Sequence, residues 1–318
     1  MQLPTRTLGQ DGPDITRVGI GTAPMGSSPE WSVYWGPQDE TDAIRAIETA
    51  VDLGINWIDT APFYGWGRAE QITGKALNGK RDRVYIFTKC GTIRTPDGHW
   101  IEDLSPASVR NELEASLRNL RTDYVDMLQF HDPDPKTPIE ESWAALHTLI
   151  REGKVRYGGL SNHPIELIAR AMRIGPVTAT QYQYSLLHAD IERDILPFAR
   201  QSGIGVLAWS PLASGFLTDG FDLDALDPAD FRRRHPLAQE PGYTRLRRLR
   251  DSLGSIARRQ NKTLSELAIA WVLRQPALTG AIMGIRNERE ARAMIGGLDW
   301  ELSAEDLNAI EAARALWT

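Results

Sequence analysis

The sequence predicts an α/β fold: a (β/α)8 TIM barrel with an N-terminal β-hairpin and additional C-terminal helices, forming a single domain over residues 1–318. Three observations carry this reading. Eight short apolar runs alternate with stretches of helical periodicity. The runs are continuously hydrophobic, as parallel strands covered on both faces are. No marked linker divides the chain, and eight strand–helix units in one series favour a barrel over an open doubly wound sheet.

The elements follow in order. LPTRTL, the turn-forming GQDGPD and ITRVGIG read as a hairpin running into the first buried strand. DETDAIRAIETAVDLG is a helix capped by Asp39, with Ile44, Ile47 and Val51 at helical spacing. NWIDTA (56–61) is the second run, followed by a helix near 69–78 and by VYIFTK (84–89). Ser105 caps the next helix with Pro106 at its first position, where the missing N–H is least missed. YVDMLQFH (124–131), the helix PIEESWAALHTLIREG and VRYGGLSN (155–162) continue the alternation. IELIARAMRIG, TATQYQY (178–184), IERDILPFARQSG with its interrupting Pro197, and GVLAWS (205–210) come next. Residues 211–262 are too long for a simple connection and read as an inserted loop with local helices. Its arginines, Arg232–Arg234 and Arg245–Arg250, read as a solvated face with interspersed ion pairs. TLSELAIAWVLRQ, GAIMGI (280–285), NEREARAMIGG and the Ser303-capped SAEDLNAIEAARAL complete the chain.

Composition bounds the function. With 42% hydrophobic and 25% charged residues the chain can build one large core, which excludes a wholly disordered protein. Thirty-six Lys and Arg against 42 Asp and Glu leave a net charge of −6, which gives nucleic acid or an anionic membrane no support as partner. The single cysteine, Cys90, forms no internal disulfide and reads as a small buried thiol. The six histidines form no compelling local ligand set, so no metal is expected. The N-terminus shows no apolar signal core, and no stretch approaches 18 apolar residues, so a soluble cytoplasmic protein is expected. Ten Trp, with 27 Gly and 19 Pro, point to many turns and aromatic-lined loops.

The titratable residues converge. Asp59 lies near the end of the second run, Lys89 closes the third and His131 closes the fourth. In a barrel these are neighbours on the C-terminal face, where catalytic groups sit. Tyr64 follows Asp59 by a short loop. A tyrosine can protonate a developing alkoxide or deprotonate an alcohol. A nearby ammonium stabilises its phenolate, an aspartate holds the ammonium, and a histidine polarises a carbonyl. The set suits hydride transfer, although any one of these residues taken alone has a structural or surface alternative.

DTAPFYGWGRAE, FTK and MLQFHDPD resemble the corresponding segments of the aldo-keto reductase family. The resemblance covers essentially the whole chain. It implies that Tyr64 is the general acid/base, that Lys89 lowers its pKa, that Asp59 supports Lys89, and that His131 orients the carbonyl. RYGGLSN and TQYQY resemble family segments that contact nicotinamide, which implies that role for Ser161, Asn162 and Gln181. The structural alternatives are a helix cap for Asn162 and a backbone partner for Gln181. The resemblance further implies that Trp209 stacks on nicotinamide, with core packing as the alternative, and that Ser210 and Leu212 line the pyrophosphate path.

GIRNEREARAMIGGLDW resembles the family's adenosine-binding end and implies roles for Arg286 and Glu290, with Asn287 in the same pattern. Arg286 can meet adenine or a 2′-phosphate. Glu290 stands where many NADP-preferring members carry Arg or Gln, and its charge suits the ribose hydroxyls of NAD. Arg289 reaches the same region. NADPH is the first reading of the cofactor and NADH the runner-up.

Trp31, Phe63 and Trp100 are candidate substrate-lining residues; Arg94 and His99 share the loop after the third run. The partner is then a small-molecule carbonyl or alcohol, such as a sugar aldehyde or another polar carbonyl, and oligomerisation is left open. Two rivals stand beside a carbonyl reductase: a cofactor-binding regulatory subunit of a channel-type assembly, and a metal-dependent barrel enzyme.

Overall fold

A computed structural model of the chain describes residues 2–95, 97–315 and 317. The hairpin is β1 (Thr5–Thr7) and β2 (Asp14–Thr16), paired antiparallel. It leads through Arg17 into β3 (Val18–Gly21) and α1 (Glu40–Asp52), which Asp39 caps as the sequence predicts. Then come β4 (Trp57–Asp59), α2 (Arg68–Ala76) and β5 (Tyr85–Cys90). A small antiparallel flap, β6 (Thr92–Arg94) and β7 (Trp100–Glu102), precedes α3 (Pro106–Leu120), with Ser105 as its cap. The alternation proceeds through β8 (Val125–Phe130), α4 (Ile139–Arg151), β9 (Val155–Ser161), α5 (Ile165–Met172) and β10 (Ala179–Gln183). It ends with α6 (Ile195–Ser202), β11 (Gly205–Trp209), α7 (Gly242–Arg259), α8 (Leu264–Leu273), β12 (Gly280–Gly284), α9 (Glu288–Ala293) and α10 (Ala304–Ala315).

Eight strands close the barrel in the order β3-β4-β5-β8-β9-β10-β11-β12, every pair parallel, with β12 returning to β3. The predicted (β/α)8 barrel with its hairpin and added helices is the observed fold. Two details differ from the sequence reading. Helix α6 begins only at Ile195, after a separate short turn at Asp190–Glu192. Pro197 therefore lies in the first turn, where no intrahelical N–H bond is due. The second detail is the excursion after β11: it has the expected exposed arginines and an ion pair, but Arg233 and Arg250 bond to its own carbonyls. Arg233 donates to the Asp224, Leu226 and Asp227 carbonyls, and Arg250 to those of Thr218 and Phe221. Arg247 and Arg248 are exposed, and Arg232 pairs with Asp230 at 2.6 Å. Loop carbonyls without a strand partner are good acceptors, which is why guanidinium groups order this segment.

The barrel interior determines where the chemistry sits. Trp57, Phe87, Met127, Ala179 and Leu207 form an enclosed apolar layer, closed below by Leu8 and Ile15 of the hairpin region. Trp57 fills the space that Gly19 leaves on the neighbouring strand; a Cβ there would lie 2.1 Å from the indole. Two residues further along each strand, on the same face, come Asp59, Lys89, Gln129, Gln181 and Trp209. The apolar layer is thus the floor beneath a polar ring at the C-terminal mouth.

Candidate active site

The polar ring is cross-braced. Lys89 is fully buried, and its Nζ donates to Asp59 Oδ1, to Tyr64 Oη at 3.0 Å and to the Thr60 carbonyl at 3.1 Å. All three ammonium donors are therefore used. The other Asp59 oxygen accepts from Gln129 at 3.1 Å and Gln181 at 2.9 Å. One carboxylate thus gathers side chains from β5, β8 and β10.

Tyr64 is delivered by the turn after β4, where Gly65, Trp66 and Gly67 all take positive φ. Gly65 is required twice over: its φ is +62°, and a Cβ would lie 1.9 Å from the Gly26 carbonyl oxygen. His131 leaves β8 with its N–H on the Cys90 carbonyl, and its ring stands 5.8 Å from those of Tyr64 and Phe63.

The electrostatics assign protonation states. Burial holds the Tyr64 phenol above its usual value; the Lys89 ammonium pulls the other way and is outweighed. Lys89 thus lowers the tyrosine's pKa only relative to a site without it. Burial opposes the Lys89 charge, yet Asp59 and Tyr64 together raise its pKa. Burial, reinforced by Lys89, keeps His131 well below 6.5, so its imidazole is neutral at neutral pH.

The residues assigned to cofactor contact gather at the ends of β9 to β12. Asn162, with φ +59°, donates to Asp132 at 2.9 Å and accepts from the Trp209 indole N–H at 3.1 Å, so it fixes the half-buried Trp209 ring. Gln181 Nε2 is engaged by Asp59 and Gln129, and Ser161 is buried beside it in register. Beyond β11, Ser210, Ala213, Ser214 and Gly215 all have positive φ, and Leu212 lies among them.

Arg286 is occupied by the loop after β3. It donates to Gln38 Oε1 at 2.9 Å, to the Trp35 carbonyl at 3.0 Å and to that of Pro37. Glu290 accepts from the Arg286 backbone N–H at 2.8 Å and from Asn287 at 3.0 Å, while Arg289 is exposed.

Of the substrate-lining candidates, Phe63 lies 5.5 Å from Trp100, which is 41% exposed on the flap. Trp31 is only 2% exposed and packs behind Phe63 and Tyr64, at 5.5 and 6.1 Å. The sequence reading missed Gln129 and Trp66. Gln129 was detectable by alternation, because it lies on β8 two residues before His131, which directly follows that strand. Trp66 packs 5.4 Å from Phe63, with Arg94 5.2 Å above its ring. Its left-handed turn carries no periodic signal. Among the described residues no group of three or more His, Cys, Asp or Glu is placed to hold a metal ion, and no helix is long and apolar enough to cross a membrane.

The arrangement can protonate an oxygen beside a neutral hydrogen-bonding imidazole while holding a planar ring at Trp209. Comparison with known proteins agrees. The sequence profile of the aldo/keto reductase family matches residues 17–315. The aldo-keto reductase YhdN of Bacillus subtilis is 33% identical over 304 residues, covering 94% of this chain and 90% of its own. The glycerol dehydrogenase of Gluconobacter oxydans superposes with a TM-score of 0.87 at 34% identity, over 98% of this chain and 94% of that one. An aldo/keto reductase from Klebsiella pneumoniae, solved with NADP and acetate, gives 0.74 at 28% identity, over 98% and 95%. These matches lend no support to the regulatory-subunit alternative. The chain belongs to the aldo-keto reductase family: it is an oxidoreductase that reduces carbonyl compounds by hydride transfer from NAD(P)H.

Proposed function

We propose that the chain reduces small polar aldehydes or ketones, with Tyr64 as general acid and NADPH as the preferred reductant. The observation that carries the proposal is the Asp59–Lys89–Tyr64 chain beside a neutral His131. The nicotinamide, when bound, supplies the hydride to the carbonyl carbon. Tyr64 gives its phenolic proton to the carbonyl oxygen. Lys89 then stabilises the phenolate left behind, and Asp59 balances the buried ammonium. Neutral His131 donates a hydrogen bond to the same oxygen as charge develops there. Burial keeps Tyr64 protonated in the resting protein, which suits the reductive direction.

Trp209, held by Asn162, offers a flat face for the nicotinamide ring, and Ser161 and Gln181 line the strand ends where its carboxamide would lie. Ser210 and Leu212 belong to the turn that would follow the pyrophosphate. Arg286 braces the loop after β3, so the exposed Arg289 is the better candidate for a 2′-phosphate. Glu290 is restrained by Arg286 and Asn287, which weakens its case as an NAD-ribose acceptor. The aromatic wall of Phe63, Trp66 and Trp100, with Arg94 beside it, suits a compact polar carbonyl such as a sugar aldehyde. A cytoplasmic location accords with a soluble reductase whose one cysteine is buried.

Tyr64→Phe is expected to reduce turnover by about a hundredfold to ten-thousandfold while leaving cofactor affinity and the circular dichroism spectrum unchanged. Near-normal turnover would remove Tyr64 as the acid. In Arg289→Ala the ratio of kcat/KM for NADPH over NADH should fall about tenfold, the effect of losing one charge-assisted hydrogen bond. An unchanged ratio would place the selector elsewhere. A panel of neutral, hydroxylated and aromatic aldehydes assayed with both cofactors tests the substrate class.

A further inference from the structure

The opposite end of the barrel holds a second concave site. A cleft of about 730 Å³ opens where the hairpin, the C-terminal end of α8 and the segment before α10 meet. Arg6 and Arg17 line it from the strand side, and Leu298, Trp300, Leu302 and Leu307 form an apolar wall facing them. These four side chains are only partly buried, each packed on one side against the core.

The two arginines are held in place. Arg6 donates one terminal nitrogen to the Pro276 and Leu278 carbonyls at 2.7 and 2.8 Å, and Arg17 donates one to the Leu273 carbonyl at 2.8 Å. Leu273 ends α8, so Arg17 also complements the negative end of that helix. That role uses one of its nitrogens. Arg17 Nε is buried with no hydrogen-bond partner among the described residues. The third arginine of the cleft, Arg274, is already matched by Glu192 at 3.0 Å and by the Trp271 ring. Glu301, the acidic member of the lining, is exposed.

We propose that this cleft is a binding site for a small organic carboxylate, whose carboxylate bridges Arg6 and Arg17 while its hydrocarbon body lies on Trp300 and the neighbouring leucines. A guanidinium presents a planar fork matched to carboxylate geometry. A buried N–H without a partner is unfavourable, and an acceptor placed there removes the penalty. Burial, and then the like charge of Arg6, lower the Arg17 pKa to about 10, so Arg17 remains cationic at neutral pH and is repelled by the Arg6 guanidinium until an anion sits between them. The volume falls in the range of small-molecule sites, and the mixture of an apolar wall with a few convergent polar groups is their usual composition. The site is separated from the catalytic mouth by the full height of the barrel and does not depend on the assignment of Tyr64.

Isothermal titration with hexanoate at constant ionic strength tests the proposal, with hexanol and inorganic phosphate as companion probes. Wild-type protein should bind hexanoate saturably. Hexanol, lacking the charge, should not bind, and phosphate, lacking the apolar body, should bind at least tenfold more weakly. Arg6→Gln and Arg17→Gln should each weaken hexanoate at least tenfold while leaving carbonyl turnover unchanged. The double variant Tyr64→Phe/His131→Gln, which alters the mouth, should bind it as wild type does. If Arg17→Gln fails to fold for want of its bond to Leu273, Arg6→Gln and Trp300→Ala decide the matter. The proposal is overturned by absent saturation, by equal binding of phosphate, by wild-type affinity in Arg6→Gln, or by loss of binding in the mouth variant.

Discussion

Tyr64, proposed above as the general acid, meets two opposing influences, and on that proposal their balance sets the direction in which the site works most readily. Burial favours the neutral phenol and Lys89 favours the phenolate, with burial prevailing. Carbonyl reduction needs the neutral form, whereas alcohol oxidation needs the phenolate. We therefore expect kcat for reduction to stay flat between pH 6 and 8 while kcat for oxidation climbs over the same interval. Steady-state profiles in both directions check this; parallel profiles would point to a different proton donor. His131 contributes no inflection in that interval, since burial holds it well below 6.5. The grouping of Asp59, Tyr64, Lys89 and His131 was legible in the sequence because each falls at or just beyond the end of an apolar run, while the roles expected of them came from the family resemblance. The second and third partners of the Asp59 carboxylate, Gln129 and Gln181, were not recognised as such. Alternation places such an amide on the inner face, but its acceptor is known only once the barrel closes.

Within single elements, alternation along the strands governs the design. In β4, Trp57 is floor and Asp59 is site; in β5, Phe87 is floor and Lys89 is site. Gly19 on β3 is part of the same packing, since its missing side chain leaves room for the Trp57 indole. Gly19→Ala is expected to destabilise the protein by about 1–3 kcal/mol through overpacking, read as a lower urea midpoint with an unchanged m-value. Wild-type stability would mean that the indole can move aside. The order and type of the elements were predictable because eight apolar runs are separated by amphipathic helices. Helix limits were less so: α6 starts four residues later than the pattern suggests, because a separate turn precedes it. The carbonyl contacts of Arg233 and Arg250 in the long excursion were hidden for a related reason. Loop carbonyls that attract guanidinium groups leave no mark in the sequence.

For the molecule as a whole, acid sensitivity has an identifiable origin. His163 is fully buried, bonded through Nδ1 to the Ser161 carbonyl, and burial lowers its pKa to about 4. Between pH 6.5 and 4 the unfolded chain binds a proton there that the folded chain refuses. Stability therefore falls with pH across this window, by roughly 3 kcal/mol at its lower end. Glu112 works in the opposite sense: burial raises its carboxyl to about 7, so its contribution is lost as pH rises toward that value. His163→Asn keeps a donor near Nδ1 and removes the titration. Comparing its unfolding free energy with wild type at pH 7 and pH 4.5 isolates the histidine. The difference should shrink or reverse at the lower pH, and a constant difference would count against this origin. The closed barrel itself was legible, since eight units in one series favoured it over an open sheet. The cleft at its base was not, because the hairpin, α8 and the segment before α10 meet there only after folding.

The two-residue offset between floor and polar ring has a practical consequence for anyone altering this protein. Phe87 and Lys89, or Met127 and Gln129, are neighbours on one rigid rail, so a cavity cut beneath the ring is felt as a displacement of the ammonium or amide above it. Variants selected only for heat tolerance at positions 57, 87 and 127 would therefore carry altered kinetics as an inseparable trait. Changes confined to Arg94, Trp100 and the rest of the flap leave the rail untouched, and diversification aimed at new substrates belongs there.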